Sequence, residues 1–96
     1  MKEARIYVDL NEMLERDLVL LSRVDERLDS CGNTVQLHEG LKIKIYMDDL
    51  DQHGNEDNLI GDGLVEQNPL YGKDHGWGHV KWCCRIEWLK NESEIR

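Results

Sequence analysis

Two stretches of alternating side chains constrain the fold of this chain more than any other feature. In residues 41–48, every second residue is apolar and the residues between are mostly charged. The same alternation recurs in residues 80–88. Because successive side chains of an extended strand point to opposite faces, a period of two predicts a strand with one face in a core. Both stretches are therefore predicted as strands.

Four further segments have strand character. Residues 4–10 alternate between apolar and polar types, and residues 59–67 resume an extended pattern after a polar stretch. The apolar run 18–21 is typical of a fully buried strand, and residues 34–38 suit a minor one. Several short strands separated by turn-forming segments indicate an antiparallel β architecture.

The predicted fold class is a small antiparallel β-barrel or roll of five to six strands, SH3-like in scale. A chain of 96 residues supports one modest core, and curling the sheet buries one face of every strand. Gly61 and Gly63 predict a bulge, a bend or a close backbone approach, which would supply a corner. Residues 1–90 form the predicted single domain, and residues 91–96 form a polar C-terminal tail.

The segment 22–31 is open to two interpretations. Ser22 and Asp25 form a helix-capping pattern, and apolar residues follow at helical spacing, which predicts a short helix over 23–31. The rival interpretation is an irregular loop rich in Asp and Arg. With the helix, the alternative fold class is a two-layer α+β domain.

The charge of the chain is strongly acidic and unevenly distributed. Twelve Lys and Arg stand against 20 Asp and Glu, a formal net charge of −8, which argues against nucleic acid as a partner. Residues 45–72 contain no Lys or Arg. Seven acidic residues fall in that stretch: Asp48, Asp49, Asp51, Glu56, Asp57, Asp62 and Glu66. Such a concentration favours a basic protein partner.

The densest acidic segment, residues 48–57, is similar to the first half of an EF-hand calcium loop, with Asp49 as position 1 and a glycine at position 6. The match fails at position 12, where Ile60 replaces the bidentate glutamate. The alternative hypothesis is a calcium-binding β module with four ligands: Asp49, Asp51, Asn55 and Asp57. The simpler interpretation is an exposed acidic hairpin.

Aromatic side chains offer a second signal for recognition. Tyr71 and Trp77 lie in the glycine-containing loop 68–78, and aromatic residues are common in protein interfaces. The predicted partner-binding surface therefore combines two groups of residues: Asp48, Asp49, Asp51, Glu56 and Asp57 with Tyr71 and Trp77. Tyr7 and Tyr46 fit either a recognition surface or an ordinary cross-strand pair.

The last predicted strand carries two tryptophans and two of the three cysteines. Alternation places Trp82, Trp88 and Cys84 in the core and leaves Cys83 as a surface thiol. The histidines and cysteines do not show the spacing of a zinc site, and the serines do not stand in a nucleophile motif. We therefore expect neither catalysis nor a bound cofactor.

These observations predict a small non-catalytic domain that binds a protein partner through its acidic surface. One form is an inhibitor or immunity-type protein that covers the basic site of a nuclease or toxin. Three cysteines, the absence of an apolar leader and the absence of a membrane-spanning stretch predict a cytoplasmic protein that contacts no membrane. An unpaired edge strand would permit a homodimer as well as a monomer.

Overall fold

The structure, a computed structural model, describes residues 3–95. It contains eight strands and one short 3₁₀-helix among these residues, in the following order: β1 (Ile6–Tyr7), β2 (Met13–Glu15), β3 (Leu18–Ser22), β4 (Glu26–Leu28), β5 (Thr34–Gln36), β6 (Lys42–Met47), β7 (Leu59–Gln67), β8 (Trp82–Asn91) and the 3₁₀-helix Glu92–Glu94. The predicted mainly β class is confirmed.

Six strands form one curled, half-barrel sheet in the order β1-β6-β7-β8-β3-β2, and β4 pairs with β5 in a small second sheet. Strands β6, β7 and β8 are consecutive antiparallel neighbours, in agreement with the predicted antiparallel architecture. The chain is not a simple meander, because β3 pairs with the far side of β8. In addition, β1 runs parallel to β6.

The curl of the large sheet follows from its connectivity. Strands β1 and β2 lie at opposite edges, yet only residues 8–12 join them. Six flat strands would separate the edges by about 24 Å, whereas six residue steps reach about 21 Å at full extension. A turn in which the Glu12 amide donates to the Asp9 carbonyl (2.9 Å) shortens this link further. The sheet must therefore bend to bring its edges together.

The predicted helix over 23–31 is wrong, because this segment enters the β4–β5 hairpin. The Arg27 guanidinium donates to the carbonyls of Leu21 and Tyr7, so it bridges β3 and β1 across the opening of the half-barrel. Mutual hydrogen bonds between Arg5 and Ser30 hold the turn of the hairpin beside β1. These contacts require an extended β4, and they override the local helical pattern.

Two clusters of buried side chains lie on either side of the β3–β8 pair. The larger cluster includes Val19, Ile45, Val65 and Cys84, and fills the half-barrel. The smaller cluster is formed by Leu18, Leu20, Val80 and Cys83. The second cluster explains why all five residues of β3 are buried. It also shows that the predicted surface position of Cys83 is wrong, since its side chain is fully buried.

The paired glycines of β7 mark a close approach and a bulge, as predicted. A Cβ atom on Gly61 would lie 2.2 Å from the Trp88 carbonyl oxygen. The pairing then shifts: Asp62 is opposite Trp88, but Gly63 is opposite Ile86, which leaves Glu87 as an extra residue. The bulge reverses the alternation, so Trp88 lies on the face opposite to Ile86 and belongs to neither core cluster. Its predicted core position is wrong.

The predicted polar tail begins within β8, whose last residue is Asn91, and continues into the 3₁₀-helix. Residues 91–94 contact the β6–β7 connection, as described below. Within residues 3–95, no helix has the length and apolar composition needed to cross a membrane.

Candidate functional site

The acidic segment 48–57 is a hairpin that prolongs β6 and β7 beyond the sheet. The Asp57 amide donates to the Asp49 carbonyl (2.9 Å), Leu50 pairs with Glu56, and the Asp51 amide donates to the Asn55 carbonyl (2.8 Å). The hairpin interpretation of this segment is therefore confirmed. Asp48 and Glu56 are exposed on this narrow hairpin, whereas Asp49, Asp51 and Asp57 are half-buried.

The Asp51 carboxylate builds the tip of this hairpin. Its Oδ1 accepts hydrogen bonds from the amides of His53 (2.8 Å) and Asn55 (3.0 Å), and Gly54 adopts a positive φ of 80°. Glycine takes this left-handed conformation without the steric cost of a Cβ atom. Asp51 is thus a turn-forming residue as well as an acid.

The β4–β5 turn repeats this arrangement. Asp29 Oδ1 accepts from the amides of Cys31 (2.9 Å) and Asn33 (3.0 Å), and Gly32 has a φ of 83°. Both turns share the pattern D-x-x-G-N, at residues 29–33 and 51–55. This repeated pattern is a sequence signal for two hairpins that the helix and calcium hypotheses overlooked.

The 3₁₀-helix adds two carboxylates to the hairpin. The Ser93 amide and hydroxyl donate to Asp57 Oδ1 (2.9 Å) and Oδ2 (2.7 Å), and Asn91 Nδ2 donates to Asp49 Oδ2 (3.0 Å). We call the resulting surface the acidic end; its members are Asp48, Asp49, Asp51, Glu56, Asp57, Glu92 and Glu94. Sequence reasoning missed the two glutamates, because only the pairing of Leu59 with Asn91 brings the segments together.

Two of the seven acids in residues 45–72 do not belong to the acidic end. Asp62 Oδ1 lies 3.7 Å from Lys44 Nζ and 3.8 Å from Arg5 Nη1. Glu66 receives two hydrogen bonds of 3.0 Å from Arg85. These bonds raise the pKa of Arg85, with smaller contributions from Glu15 and Asp17. The other five acids of this stretch all lie in the hairpin, beside the 3₁₀-helix.

The four proposed calcium ligands do not converge on a common point. Asp49 accepts from Asn91, Asp51 accepts from its own turn, and Asp57 accepts from Ser93. The Asn55 backbone carbonyl accepts a hydrogen bond from the Asp51 amide. Within residues 3–95, no three His, Cys, Asp or Glu side chains are grouped so that they could hold a metal ion. Here the carboxylates organise the hairpin.

The structure also separates the predicted aromatic contacts from the acidic end. Strand β7 begins at Leu59, beside the hairpin, and ends at Gln67, where the loop with Tyr71 and Trp77 begins. Eight steps along an extended strand span about 26 Å. Trp77 is half-buried and packs against the smaller core cluster, and Tyr71 is 42% exposed. The two halves of the predicted surface therefore lie at opposite ends of the sheet.

A shallow depression occupies one side of the acidic end. It encloses about 480 Å³ and is lined by Asp48, Asp49, Leu50, Glu56 and Asn58. The Leu50 side chain is 63% exposed, although it is large and apolar. Among the described residues, Leu50 is the one apolar side chain in this depression, and Asp48, Asp49 and Glu56 lie beside it.

Tyr7 and Tyr46 form the expected pair of neighbouring side chains on β1 and β6. Their ring centroids are 5.5 Å apart, and the rings meet edge to face. The contact explains both tyrosines as part of the sheet. The ring-on-ring geometry is a favourable arrangement for aromatic side chains.

Comparisons of this chain with protein-family models, curated proteins and solved structures find no match.

Proposed function

We propose that this protein is a small non-catalytic domain that binds a basic segment of another protein through the acidic end. The observation that carries the proposal is the concentration of acidic residues from two chain segments at the acidic end, where Asp48, Asp49 and Glu56 line a depression with the exposed Leu50. Residues 48–58 and 91–95 contain no Lys or Arg. The exposed carboxylates of Asp48 and Glu56 are therefore available to a partner.

Electrostatics and apolar contact have separate roles in this proposal. A patch of like charge attracts a basic partner over roughly a Debye length and accelerates encounter. The repulsion among the carboxylates is relieved when lysine or arginine side chains approach. Leu50 then supplies a short-range apolar contact, which the negative charge of the surface cannot provide. Binding should weaken as salt rises.

The buried cysteines support a non-catalytic role. Burial raises the pKa of the Cys83 thiol to about 11 and that of the Cys84 thiol to about 12. A nucleophilic cysteine needs the thiolate form near neutral pH, so neither side chain suits covalent catalysis. A domain that covers the basic site of a nuclease or toxin in the cytoplasm is the specific form of this proposal.

The test uses amide replacements that remove charge but keep hydrogen-bond acceptors. The acidic-end variant carries four substitutions: Asp48→Asn, Asp49→Asn, Asp51→Asn and Glu56→Gln. The matched control changes the charge equally but elsewhere: Glu26→Gln, Asp29→Asn, Glu39→Gln and Asp74→Asn. Asp57 stays unchanged because both of its carboxylate oxygens accept from Ser93.

Each protein is used as bait in the lysate of the source organism at low and at high salt. We expect the original chain and the control to capture the same partner at low salt, and the acidic-end variant to lose it. Capture of the same partner by the acidic-end variant at low salt would overturn the proposal.

A further inference from the structure

Strand β8 has an unpaired edge along its second half. Strand β3 pairs with residues 82–85 of β8, whereas β7 pairs with β8 as far as Asn91. In the part of the chain that the structure describes, Glu87–Asn91 has no strand partner on the β3 side. An unpaired edge presents backbone N–H and C=O groups that are ready to bond to another extended segment.

An apolar groove runs beside this edge. It encloses about 370 Å³ and is lined by Leu10, Met13, Arg16, Asp17, Ile86 and Leu89. The Ile86 amide donates to the Asp17 carbonyl (2.7 Å), which closes the groove at the end where β3 pairing stops. Four of the six lining residues are apolar, so the groove suits aliphatic side chains.

The other end of the unpaired edge leads directly into the acidic end. Asn91, the last residue of β8, donates to Asp49 Oδ2 (3.0 Å). Two residues further on, Ser93 binds Asp57. An extended chain lying along Glu87–Asn91 would therefore run from the apolar groove to the end of β8 where Glu92 and Glu94 follow, with the hairpin carboxylates on the other side of β8.

We infer that the partner contributes an extended segment that adds a strand to β8, places alternate apolar side chains in the groove and lays adjacent Lys or Arg residues on the acidic end. This inference rests on the proposed function and names the segment of the partner that binds. Main-chain hydrogen bonds along the edge supply affinity, and the groove and carboxylates supply specificity. A helix would leave the edge groups of β8 unpaired.

Synthetic peptides test the inference with the full chain. The probe consists of three lysines followed by three Thr-Val pairs, made in both chain directions and labelled for fluorescence anisotropy. The first control peptide has proline in place of each threonine, which removes the amide donors but keeps the lysines and valines. The second control has the three lysines followed by a glycine-serine segment.

The groove is tested with Leu89→Lys and, as a second variant, Met13→Lys. The matched control is Leu28→Lys, which adds the same charge at a side chain that is 62% exposed on the small sheet. Melting temperatures and circular dichroism spectra establish that each variant is folded. Backbone protection is measured by hydrogen exchange within residues 87–91.

We expect the Thr-Val peptide to bind about tenfold more tightly than the proline peptide, the effect of one or two additional hydrogen bonds. Leu89→Lys should abolish this difference and Leu28→Lys should preserve it. Bound peptide should slow exchange within residues 87–91. Equal binding of the Thr-Val and proline peptides would overturn the inference.

The two proposals fail in distinguishable ways. If the acidic-end substitutions leave the binding of the lysine–glycine-serine peptide unchanged, the proposed function fails. If those substitutions weaken every peptide but Thr-Val and proline peptides bind alike, only the strand addition fails. A concentration-dependent dimer that Leu89→Lys abolishes would show that a second copy occupies the edge, and would also overturn the inference.

Discussion

A Cβ atom on Gly63 would lie 2.3 Å from the Sγ of Cys84 and 2.7 Å from the Arg85 carbonyl oxygen. These separations are far shorter than van der Waals contact. Glycine at this position lets β7 and β8 approach each other beside the bulge at Glu87. The close approach of β7 and β8 at the bulge therefore depends on the absence of a Cβ atom at position 63.

Gly63→Ala should therefore lower the free energy of unfolding by about 2 kcal/mol, because the added methyl overpacks the core. Combining it with Cys84→Ala should cost less than the sum of the two single changes, since the sulfur is then gone. Urea denaturation measures each value. Gly76→Ala is the control, because a Cβ there would meet nothing within 4 Å. Strictly additive effects would contradict the contact.

The two D-x-x-G-N turns should respond alike to the loss of their aspartate. Asp51→Ala removes the acceptor for two backbone amides, and we expect a loss of about 1 kcal/mol. Asp51→Asn keeps an acceptor oxygen and should be close to neutral. At Asp29, too, the alanine variant should be less stable than the asparagine variant. Chemical denaturation tests this, and equal stability of the Ala and Asn variants would contradict the role of the side chain.

Acid should weaken the contacts of the Asp25 carboxylate with Lys81 and Trp82. Hydrogen bonds from Lys81 (2.8 Å) and Trp82 (2.9 Å), the former with the larger effect, lower the pKa of Asp25 from its ordinary value of 3.8. A lowered folded-state pKa gives stability that is present above pH 3.8 and lost as the pH falls through the folded value.

We therefore expect Asp25→Asn to melt below the original protein at neutral pH, and the difference to shrink in strong acid. Calorimetry at several pH values between neutral pH and strong acid measures the melting temperatures of both proteins. A difference in melting temperature that stays constant through this range would contradict the assignment.

The three thiols should fall into two classes. Cys31 is exposed in the β4–β5 turn, whereas Cys83 and Cys84 are buried with pKa values raised to about 11 and about 12. At pH near 8 a thiol-specific reagent should label Cys31 rapidly, and the other two only as the protein unfolds. Cys31→Ser should abolish the fast phase. Rapid labelling of a second thiol in native protein would contradict the buried position of Cys83.

We expect Arg27 to be required for holding β1 and β3 together across the opening of the half-barrel. Replacement by methionine keeps much of the side-chain volume but removes the donors to the Leu21 and Tyr7 carbonyls. We expect a loss of about 2 kcal/mol, since hydrogen bonds from charged groups are worth more than neutral ones. Arg23→Met, at an exposed residue, is the matched control. Equal denaturation midpoints for the two variants would contradict this role.

The sequence was sufficient for the strands whose two faces differ. Residues 42–47 form a strand as alternation predicts, because one face meets the core and the other is more exposed, and residues 59–67 form a strand as their extended pattern predicts. The same logic failed for Cys83, since the loop after β7 covers the outer face of β8 and contributes Trp77 to a second core. A period-two pattern cannot reveal a distant loop that covers the polar face.

Pairing between distant segments limited the prediction of the site. The acidic hairpin followed from its residues, but the addition of Glu92 and Glu94 depends on the register of β7 and β8. The distance to Tyr71 and Trp77 depends on the length of β7, and sequence order alone placed those aromatic residues too close. The bulge at Glu87 moved Trp88 to the opposite face, because one inserted residue reverses every later side chain.

The position of β8 between β7 and β3 has a consequence for folding during synthesis. During synthesis, β8 reaches the ribosome exit after both of its partners, β3 and β7, so Val19 cannot pair with Cys84 until then. Until then the halves of the large core remain exposed as apolar surface on a nascent chain, where contacts between distant residues form slowly. The large core can therefore be completed only after β8 has emerged from the ribosome, and chaperones have their opportunity to act before then.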